Sequence, residues 1–581
     1  MYGWKGKILH IDLKGKQYWF ENPSINTYEK YIGGKGLAGY YLKEHITKAW
    51  NSPAMPLLFF TGPLGDTPAP ASGRMTIMSK SPLTGTIGDT SVGGKFGLNI
   101  KRSGIDGIII TGKSKNLCGL KITNHDIQFT NAEHMKGMMT SDVTSYLGCD
   151  GSTAVIGPAA ENGVLFSSII IDNHFAAARN GLGLVMAEKN LKYIKVIGTK
   201  AKTEIYDAKE LKEAKEEIFR LAAASPILTG ELGISNYGTA ALYDLIDNRR
   251  MMPTNNFRET WYNNAKKMNA WHYNKHYTFK KTGCFGCHIQ CKKTGINKQI
   301  MPEYETMSHF SALINNQNIE SVVEANRACN EYGMDTISAA VTLACFKEIN
   351  QVELSPDKIK ELLFNIAFDQ KEGKELKLGS YRYATIKGCT DSSITVKKQE
   401  LPGYDPRGAY GMALAYATST RGACHLRAYP ISHEILRKPV VTDRFSFSGK
   451  ARIIKLSEDT FSVVDSLTAC KFLFFAASLE EYAKAYQGVT GVKTTAQDLI
   501  KTGERIYYNE KIMNSLNGFS SKDDDLPKRF FEEPGTNGDE IQINPIDRND
   551  FLTARSNYYK IRGLTEDGLP TKSKIKELGL N

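Results

Sequence analysis

The character of the sequence changes near residue 205, and this change limits the folds that the chain can adopt. Before it, short apolar runs such as PLLFFTG, RMTIMSK, GIDGIIITG, CGLKIT and YIKVIGT are separated by glycine and proline, and KILHIDL and QYWFE flank a KGK turn. This pattern is typical of short strands and of a β-hairpin. After it, DAKELKEAKEEIFRLAAA, SVVEANRACNEYG and PDKIKELLFNIAFDQ have the spacing of amphipathic helices.

These patterns predict an α+β fold with three domains. A β-rich domain occupies residues 1–205, and two mainly helical domains follow at residues 206–400 and 401–581. The last domain begins at the proline- and glycine-rich connector LPGYDPRGAYG. A chain of 581 residues is long enough for about two to four domains.

Composition and charge exclude several classes of protein. The chain has no apolar run of about 18 residues and no apolar signal region at its start, so we expect neither a membrane protein nor a secreted one. Its ten cysteines do not suggest a disulfide framework, which favours the cytoplasm. The net charge of +12 is spread along the chain. This disfavours a nucleic-acid-binding protein, but it would suit an acidic protein partner or an anionic substrate.

Three cysteines lie close together in TGCFGCHIQCKK, at the spacing C-x2-C-x3-C: Cys284, Cys287 and Cys291. Three thiolates at this spacing suit three corners of a [4Fe–4S] cluster, which needs a fourth ligand. Cys470, far downstream and near a predicted helix start, is our candidate, because a helix N-terminus favours the thiolate form. A zinc site that includes His288 is the alternative, although the second ligand pair usual in structural zinc sites is absent from the sequence.

A short motif occurs twice, as DTISAA at residues 335–340 and DSLTAC at residues 465–470. Each copy is predicted to open an apolar helix, with Asp335 and Asp465 as N-caps. Two unrelated caps would explain the motif equally well. The second copy, however, ends in Cys470, the candidate fourth ligand.

Glycine-rich segments recur in the β-rich region, and two arginines lie near them. Arg74 lies in SGRM and Arg179 in AARNG. None of the segments matches the phosphate-binding loop of nucleotide hydrolases or a dinucleotide fingerprint. Exposed backbone amides beside an arginine are suited to phosphate groups, so the pattern favours an organic phosphate cofactor. The segments are IGGKGL, SVGGKFG, IGPAAENG and AAARNGLG.

Taken together, these segments resemble the tungsten-dependent aldehyde:ferredoxin oxidoreductase family along the whole chain. The resemblance is carried by an ordered set of segments: MYGWKGKILHIDL, YIGGKGLA, FTGPLGDTPAPASGR, SKSPLTG, IGPAAENG, ARNGLG with MAEKNLK, CFGCHIQC, PEYET, EYGMDTIS, RGACH, DSLTAC, LPKRFFEEP and NYYKIRGLTEDGLPT.

The resemblance implies a β-rich first domain that seats two pterins joined by tungsten, with helical domains covering them. Dithiolene sulfurs of the pterins hold the metal, so molybdenum is an alternative that the sequence leaves open. A [4Fe–4S] cluster lies beside one pterin. Its implied ligands are Cys284, Cys287, Cys291 and Cys470.

The same resemblance assigns the cofactor contacts. Asp335 and Asp465 would each face one pterin, and Arg74 would lie between a pterin and the cluster. The phosphates would meet SVGGKFG through Gly93 and Gly94, and ARNGLG through Arg179 and Gly181, with Mg2+ bridging them.

For acid–base chemistry, the resemblance points to His425 in RGACH and to a glutamate of PEYET, either Glu303 or Glu305. A histidine suits proton transfer because its ordinary pKa is near neutral. A buried structural histidine is the alternative for His425. His309, shortly after PEYET, has no assigned role, and Cys424 differs from the other scattered cysteines because it adjoins His425.

The function that follows is oxidation of an aldehyde to a carboxylic acid, with electrons leaving through the cluster to ferredoxin. Two alternatives stay open. The chain could be the tungsten–pterin subunit of a larger complex, of the aromatic-thioester reductase type or with accessory iron–sulfur subunits. It could also be a non-catalytic electron-transfer or scaffold protein, stabilised by zinc or by an iron–sulfur cluster. A homodimer is a further expectation.

Overall fold

The computed structural model describes residues 1–124, 126–295 and 299–580. Its first third is rich in β-structure and the remainder is mainly helical, which confirms the predicted α+β class. Within these residues, no helix combines the length and the apolar character needed to cross a bilayer.

One six-stranded sheet is built from the first part of the chain, in the order β2-β1-β6-β3-β4-β5. The predicted hairpin is confirmed, since β1 and β2 pair antiparallel across the KGK turn. Its strands are β1 Ile8–Asp12, β2 Gln17–Glu21, β3 Leu57–Phe60, β4 Met75–Lys80, β5 Ile87–Val92 and β6 Gly107–Thr111.

This sheet is buried on both faces because alternate side chains enter two different cores. Leu58 and Phe60 belong to a core shared with helices from both ends of the chain. Leu57 and Phe59 belong to a core shared with the second sheet. The alternation follows from the two-residue period of a strand.

The second sheet also has six strands, in the order β11-β10-β9-β12-β7-β8. The sequence predicts β7 and β12 but misses the rest, because their apolar runs are short or interrupted by polar residues. Its strands are β7 Cys118–Ile122, β8 Ile127–Asn131, β9 Ser152–Val155, β10 Ile169–Ile171, β11 Phe175–Ala177 and β12 Leu191–Val196. Helices of this region are α1 Ile25–Tyr31, α2 Gly34–Lys43, α3 Phe96–Arg102, α4 Thr140–Leu147, α5 Pro158–Glu161 and α6 Leu182–Glu188.

The middle of the chain is helical and carries two short hairpins, β13 Phe279–Thr282 with β14 Lys292–Gly295, and β15 Thr395–Val396 with β16 Gln399–Glu400. Its helices are α7 Ala208–Ala223, α8 Pro226–Thr229, α9 Ile234–Tyr237, α10 Tyr243–Asn248, α11 Ala265–Met268, α12 Ala270–His276, α13 Tyr304–Phe310, α14 Ile319–Tyr332, α15 Thr336–Asn350, α16 Pro356–Ala367, α17 Gly373–Leu376 and α18 Ser380–Ile386.

The last part of the chain packs back onto the first. Helix α7 and several C-terminal helices share a core with the first sheet, so the predicted domain boundaries do not coincide with separate cores. The division into three domains therefore stays a prediction. The helices here are α19 Tyr410–Thr418, α20 Ile431–Glu434, α21 Lys450–Leu467, α22 Leu479–Thr490, α23 Ala496–Leu516, α24 Arg529–Glu532, α25 Arg548–Arg562 and α26 Lys572–Glu577.

The two copies of the aspartate motif differ in structure. Asp335 is an N-cap as predicted, since its side chain accepts the backbone N–H of Ser338. The prediction for Asp465 is wrong, because it lies in the last turn of α21 and not at a helix start. That helix ends at Thr468, which adopts the left-handed backbone conformation (φ 57°), and no glycine or proline signals the stop.

Candidate active site and cluster site

A carboxylate and two imidazoles meet in the interior. Glu305 and His309 lie one turn apart on α13, and His425 lies between α19 and α20. Oε1 of Glu305 is 3.4 Å from Nε2 of His425. Its Oε2 is 3.9 Å from Nδ1 of His309 and accepts the backbone N–H of Gly403 at 2.7 Å. The structure thus brings together Glu305 and His425, two of the residues that the family resemblance predicts for acid–base chemistry.

Burial sets the protonation of this trio. It raises the pKa of Glu305 to about 8, although the Gly403 N–H and the Arg179 guanidinium oppose the shift. Burial lowers the pKa of His309 to about 4 and the pKa of His425 well below its ordinary value. At neutral pH, Glu305 is therefore mostly protonated and both imidazoles are neutral.

His309 adopts one defined tautomer beside Glu305. Its Nε2 lies 3.2 Å from the carbonyl oxygen of Leu401, which can only accept, so Nε2 carries the proton. Its Nδ1 is then an acceptor, and the hydroxyl of Ser308 lies 3.1 Å away. No sequence pattern assigns a role to His309, and the structure packs it against the Glu305 carboxylate.

Aromatic side chains line the same site, and the sequence analysis missed them. The ring of Tyr404 is 5.6 Å from that of His425, and the ring of Tyr429 is 6.2 Å away. The two phenol oxygens are 3.3 Å apart, and Phe475 lies 5.7 Å beyond Tyr429. The available signals were weak. Tyr404 lies in the segment interpreted only as a connector, and Tyr429 follows His425 by four residues.

Glu303, two residues before Glu305, lies in different surroundings. Its carboxylate pairs with Nζ of Lys292 at 2.7 Å, and its side chain is 47% exposed. The Lys292 ammonium and, secondarily, Arg74 hold the pKa of Glu303 below its ordinary value. Because Lys292 directly follows Cys291, Glu303 lies toward the cysteines, and only Glu305 contacts His425.

The four candidate cluster cysteines come from two distant segments. Cys284 and Cys287 lie between β13 and β14, Cys291 directly precedes β14, and Cys470 follows α21. Burial raises the pKa of Cys470 to about 11, and Cys284 and Cys287 contribute to the increase. Burial also raises the pKa of Cys291, with further contributions from Cys470 and Cys284. Each of the four thiols therefore lies within electrostatic reach of at least two of the others.

The prediction that a helix start favours the Cys470 thiolate is wrong. Cys470 precedes only a short 3-10 segment, Lys471–Phe475, and burial outweighs the lowering effect of Arg74 on its pKa. A short 3-10 segment aligns few peptide dipoles, so it cannot offset the desolvation of a thiolate.

The spread of the thiols bears on the zinc alternative. Among the described residues, no three histidine, cysteine, aspartate or glutamate side chains are close enough to hold a single metal ion. Zinc with Zn–S bonds of about 2.3 Å needs sulfurs roughly 4 Å apart. A cubane distributes its four thiolates over separate iron ions and tolerates wider spacing. His288, the extra ligand of the zinc alternative, packs edge-on against Phe219 at 4.5 Å.

Arg74 and Gly93 lie beside the cysteines. Arg74 donates from Nε to the hydroxyl of Ser91 at 2.8 Å and from Nη2 to its carbonyl oxygen at 2.5 Å. Burial lowers the pKa of Arg74, but Cys470 and Cys284 outweigh burial and raise it. A Cβ atom at Gly93 would lie 2.4 Å from Sγ of Cys284, so the backbone of this loop runs directly against that thiol. The neighbouring Gly94 has φ 104°.

Arg179 connects the first aspartate to the segment that carries His425. Its Nη1 is 3.3 Å from Oδ2 of Asp335, and its Nη2 donates to the carbonyl oxygens of Glu400 and Ala423 at 2.5 and 3.0 Å. Gly181 follows with φ 72°, and a Cβ atom there would overlap the carbonyl oxygen of Leu165. Glycine is therefore required in this loop.

Two of the buried carboxylate oxygens that have no hydrogen-bond partner among the described residues belong to candidate site residues: Oε1 of Glu305 and Oδ1 of Asp465. The other Asp465 oxygen is 2.8 Å from Nζ of Lys471. A Cβ atom at Gly34 would overlap the Asp465 carbonyl oxygen, so YIGGKGLA packs directly on this end of α21. Because an unpaired buried oxygen is costly, both atoms fit a bound polar ligand.

Comparisons with known proteins identify the family of the chain. The model of the aldehyde ferredoxin oxidoreductase N-terminal domain matches residues 8–198, and that of domains 2 and 3 of the same family matches residues 213–580. The tungsten-containing aldehyde ferredoxin oxidoreductase of Pyrococcus furiosus is 34% identical, over all of this chain and 99% of its own length. The enzyme of the same name from Thermococcus kodakarensis is also 34% identical with the same coverage.

More distant relatives share the fold. The aliphatic sulfonate oxidoreductase WOR-like subunit of Pyrococcus furiosus is 26% identical, over all of this chain and 97% of its own length. The active-site complex BamBC of benzoyl coenzyme A reductase superposes with a TM-score of 0.85, covering all of this chain and 97% of its own. At 21% identity, the second similarity shows the fold alone.

The matching family model and the relatives at 34% identity show that the chain is an oxidoreductase, and the alternative of a non-catalytic scaffold is not supported. The chain belongs to the aldehyde ferredoxin oxidoreductase family.

Proposed function

We propose that the protein oxidises an aldehyde to a carboxylic acid at a tungsten–pterin centre and passes the electrons through a [4Fe–4S] cluster to ferredoxin. The observation that carries the proposal is the position of Glu305, whose buried and unpaired Oε1 lies 3.4 Å from the His425 imidazole. The names of the Pyrococcus furiosus and Thermococcus kodakarensis relatives support the substrate class, the metal and the acceptor.

The residues present fit a pterin cofactor. The unpaired Oδ1 of Asp465 and the carboxylate of Asp335 are acceptors suited to the N–H groups of a pterin ring. Gly93, Gly94 and Gly181 add no side chains of their own to these loops, and Arg179 adds a cation. Mg2+ between the phosphates and molybdenum in place of tungsten stay predictions.

When bound, the metal–pterin centre supplies the two-electron redox chemistry. Oxidation of an aldehyde consumes one water and releases two protons with the two electrons, so the site needs proton acceptors. Glu305, with a pKa of about 8, can take a proton at Oε1 near neutral pH and release it again. The neutral His425 imidazole beside it can relay that proton, since its low pKa prevents it from retaining the charge.

Arg74 and Gly93 lie at the cysteine end of the site. Cys284, Cys287, Cys291 and Cys470 would hold the cluster, with Arg74 stabilising its negative charge. The net charge of +12 suits an acidic ferredoxin as acceptor. A homodimer stays a prediction.

Three measurements test the proposal. Elemental analysis of the purified protein should find tungsten and about four iron atoms per chain, and dye-linked assays should show oxidation across an aldehyde panel. Zinc in place of iron, or tungsten without aldehyde oxidation, would refute the assignment. Replacing Cys287 with Ala should remove the cluster signal in paramagnetic resonance, whereas replacing the remote Cys329 in the same way should leave it unchanged.

A further inference from the structure

The segment that carries His425 forms a tight turn around the sulfur of the preceding residue. Sγ of Cys424 accepts the backbone N–H of Leu426 at 3.3 Å. This contact runs from residue i to residue i+2, so the ring that it closes contains the backbone of His425. Aspartate and asparagine side chains form the same contact in Asx turns. Cys424 takes that role here.

The same sulfur accepts two further hydrogen bonds from one arginine. Nε of Arg421 lies 3.1 Å from Sγ of Cys424, and Nη2 lies 2.9 Å away. The third nitrogen, Nη1, donates to the backbone carbonyl oxygen of Asp89 at 2.5 Å. Both side chains are buried, with Arg421 6% exposed and Cys424 1% exposed.

Arg421 has no carboxylate within ion-pair distance in the described part of the chain, unlike the cations around it. The Asp89 carboxylate is engaged by Arg427, whose Nη1 lies 2.9 Å from Oδ2. Lys35 pairs with Glu510 at 2.7 Å. A guanidinium stays charged in a protein, and a buried charge requires a counter-charge. The atom placed to supply one is Sγ of Cys424.

We propose that Cys424 is present as a thiolate, paired with Arg421, and that this pair fixes the turn that holds His425 against Glu305. Cys424 is a positioning residue in this scheme, because it acts on the imidazole through the backbone. The electrostatics agree: burial raises the pKa of Cys424, but Arg421 and Arg427 outweigh burial and lower it. The part that concerns His425 rests on the proposed function, whereas the thiolate and the turn do not.

The alternative is a small apolar cysteine that merely fills space, and three substitutions separate the two. Asp keeps both the negative charge and the i to i+2 acceptor, Ser keeps only the acceptor, and Ala keeps neither. The thiolate turn predicts that thermal stability and dye-linked kcat both fall in the order Cys424→Asp, Cys424→Ser, Cys424→Ala. We expect a loss of kcat within about tenfold for Asp and of about 100-fold for Ala, because a displaced catalytic group costs that much.

An apolar packing role predicts the opposite order, since a buried carboxylate would then be the worst replacement. Cys329 supplies the matched control. It is fully buried and its pKa is raised by burial. The same three substitutions there should rank Ala above Ser and Ser above Asp. If Cys424 followed the Cys329 order, the proposal would be overturned.

Infrared spectroscopy of the holoenzyme gives a readout independent of activity and of the stability ranking. A difference spectrum of wild type minus Cys424→Ser should contain no S–H stretching band, whereas wild type minus Cys329→Ser should contain one. An S–H band assigned to Cys424 would overturn the proposal. If the spectra and the stability order hold but no aldehyde is oxidised, the thiolate turn is supported and the proposed function fails.

Discussion

Two glutamates of one short segment, Glu303 and Glu305, lie in regions of the molecule that shift the pKa of a carboxyl group in opposite directions. Glu303 is half-exposed and paired with Lys292, which keeps its pKa low. Glu305 is withdrawn from solvent, its Oε1 has no hydrogen-bond partner among the described residues, and burial raises its pKa to about 8. The first region stabilises charge beside the cysteines, and the second opposes charge beside His425.

The difference shows that the surroundings of a carboxylate, and not its residue type, decide whether it holds a fixed charge or can transfer protons. An ionised carboxylate beside a cation is held in one protonation state at neutral pH and cannot shuttle protons. A desolvated carboxyl group with a pKa near the working pH can do so. The start of α13 places Glu303 in the first of these two environments and Glu305 in the second.

The largest effect should come from Glu305→Gln. The change keeps the volume and removes the titrating oxygen, so we expect dye-linked kcat to fall by about 10^2- to 10^4-fold. Glu303→Gln is the matched control and should change the same rate by less than about threefold, because its carboxylate contacts Lys292 and not the imidazoles. Equal losses in both variants would remove the functional distinction between the two regions.

His425→Gln should produce the next largest effect, a loss of about 100-fold in kcat with a smaller change in KM. The imidazole lies 3.4 Å from Oε1 of Glu305, and its neutral form is suited to relaying a proton. Steady-state kinetics with an artificial acceptor would measure the loss. A normal kcat with a raised KM would instead show that His425 only binds substrate.

The sequence predicts much of the fold because its signals are local. The apolar runs at Leu57–Phe60 and Gly107–Thr111 are strands, and the amphipathic run at Ala208–Ala223 is a helix. Asp335 caps its helix as predicted, since an N-cap is decided within four residues. Short strands such as Ile169–Ile171 could not be predicted, because tertiary pairing and not local pattern forms them.

Some members of the candidate site were predictable, but their arrangement was not. The family resemblance points to Glu303, Glu305 and His425, but only the course of the backbone into α13 decides which glutamate is buried. Asp465 was misplaced because Thr468 ends its helix in a conformation that threonine seldom adopts. The aromatic lining joins Tyr404 and Phe475, residues too distant in sequence for any pattern to connect.

The pH dependence of kcat should show a smaller effect, which also distinguishes Glu305 from Glu303. If Glu305 accepts the proton, the active form is ionised, so kcat should rise about tenfold per pH unit below pH 8 and level off above it. Glu303→Gln should keep this profile, and Glu305→Gln should flatten it. A profile that falls through pH 8 in wild type would make Glu305 a proton donor.

The smallest effect concerns stability, where the two carboxylates should have opposite signs. The folded pKa of Glu305 is about 8, above the ordinary 4.5. Between these values the folded protein binds more protons than the unfolded chain, so this contribution to the unfolding free energy is lost as pH rises. Glu305→Gln should therefore gain thermal stability relative to wild type from pH 5 to pH 8, by about 1 °C per pH unit.

The folded pKa of Glu303 is lowered, so its stabilising contribution is present above the ordinary pKa and is lost only as pH falls. The difference in thermal stability between Glu303→Gln and wild type should accordingly stay constant over the same pH range. Melting temperatures measured against pH at matched ionic strength would show this difference between the two variants. If both variants instead ran parallel to wild type over this range, Glu305 would be ionised throughout.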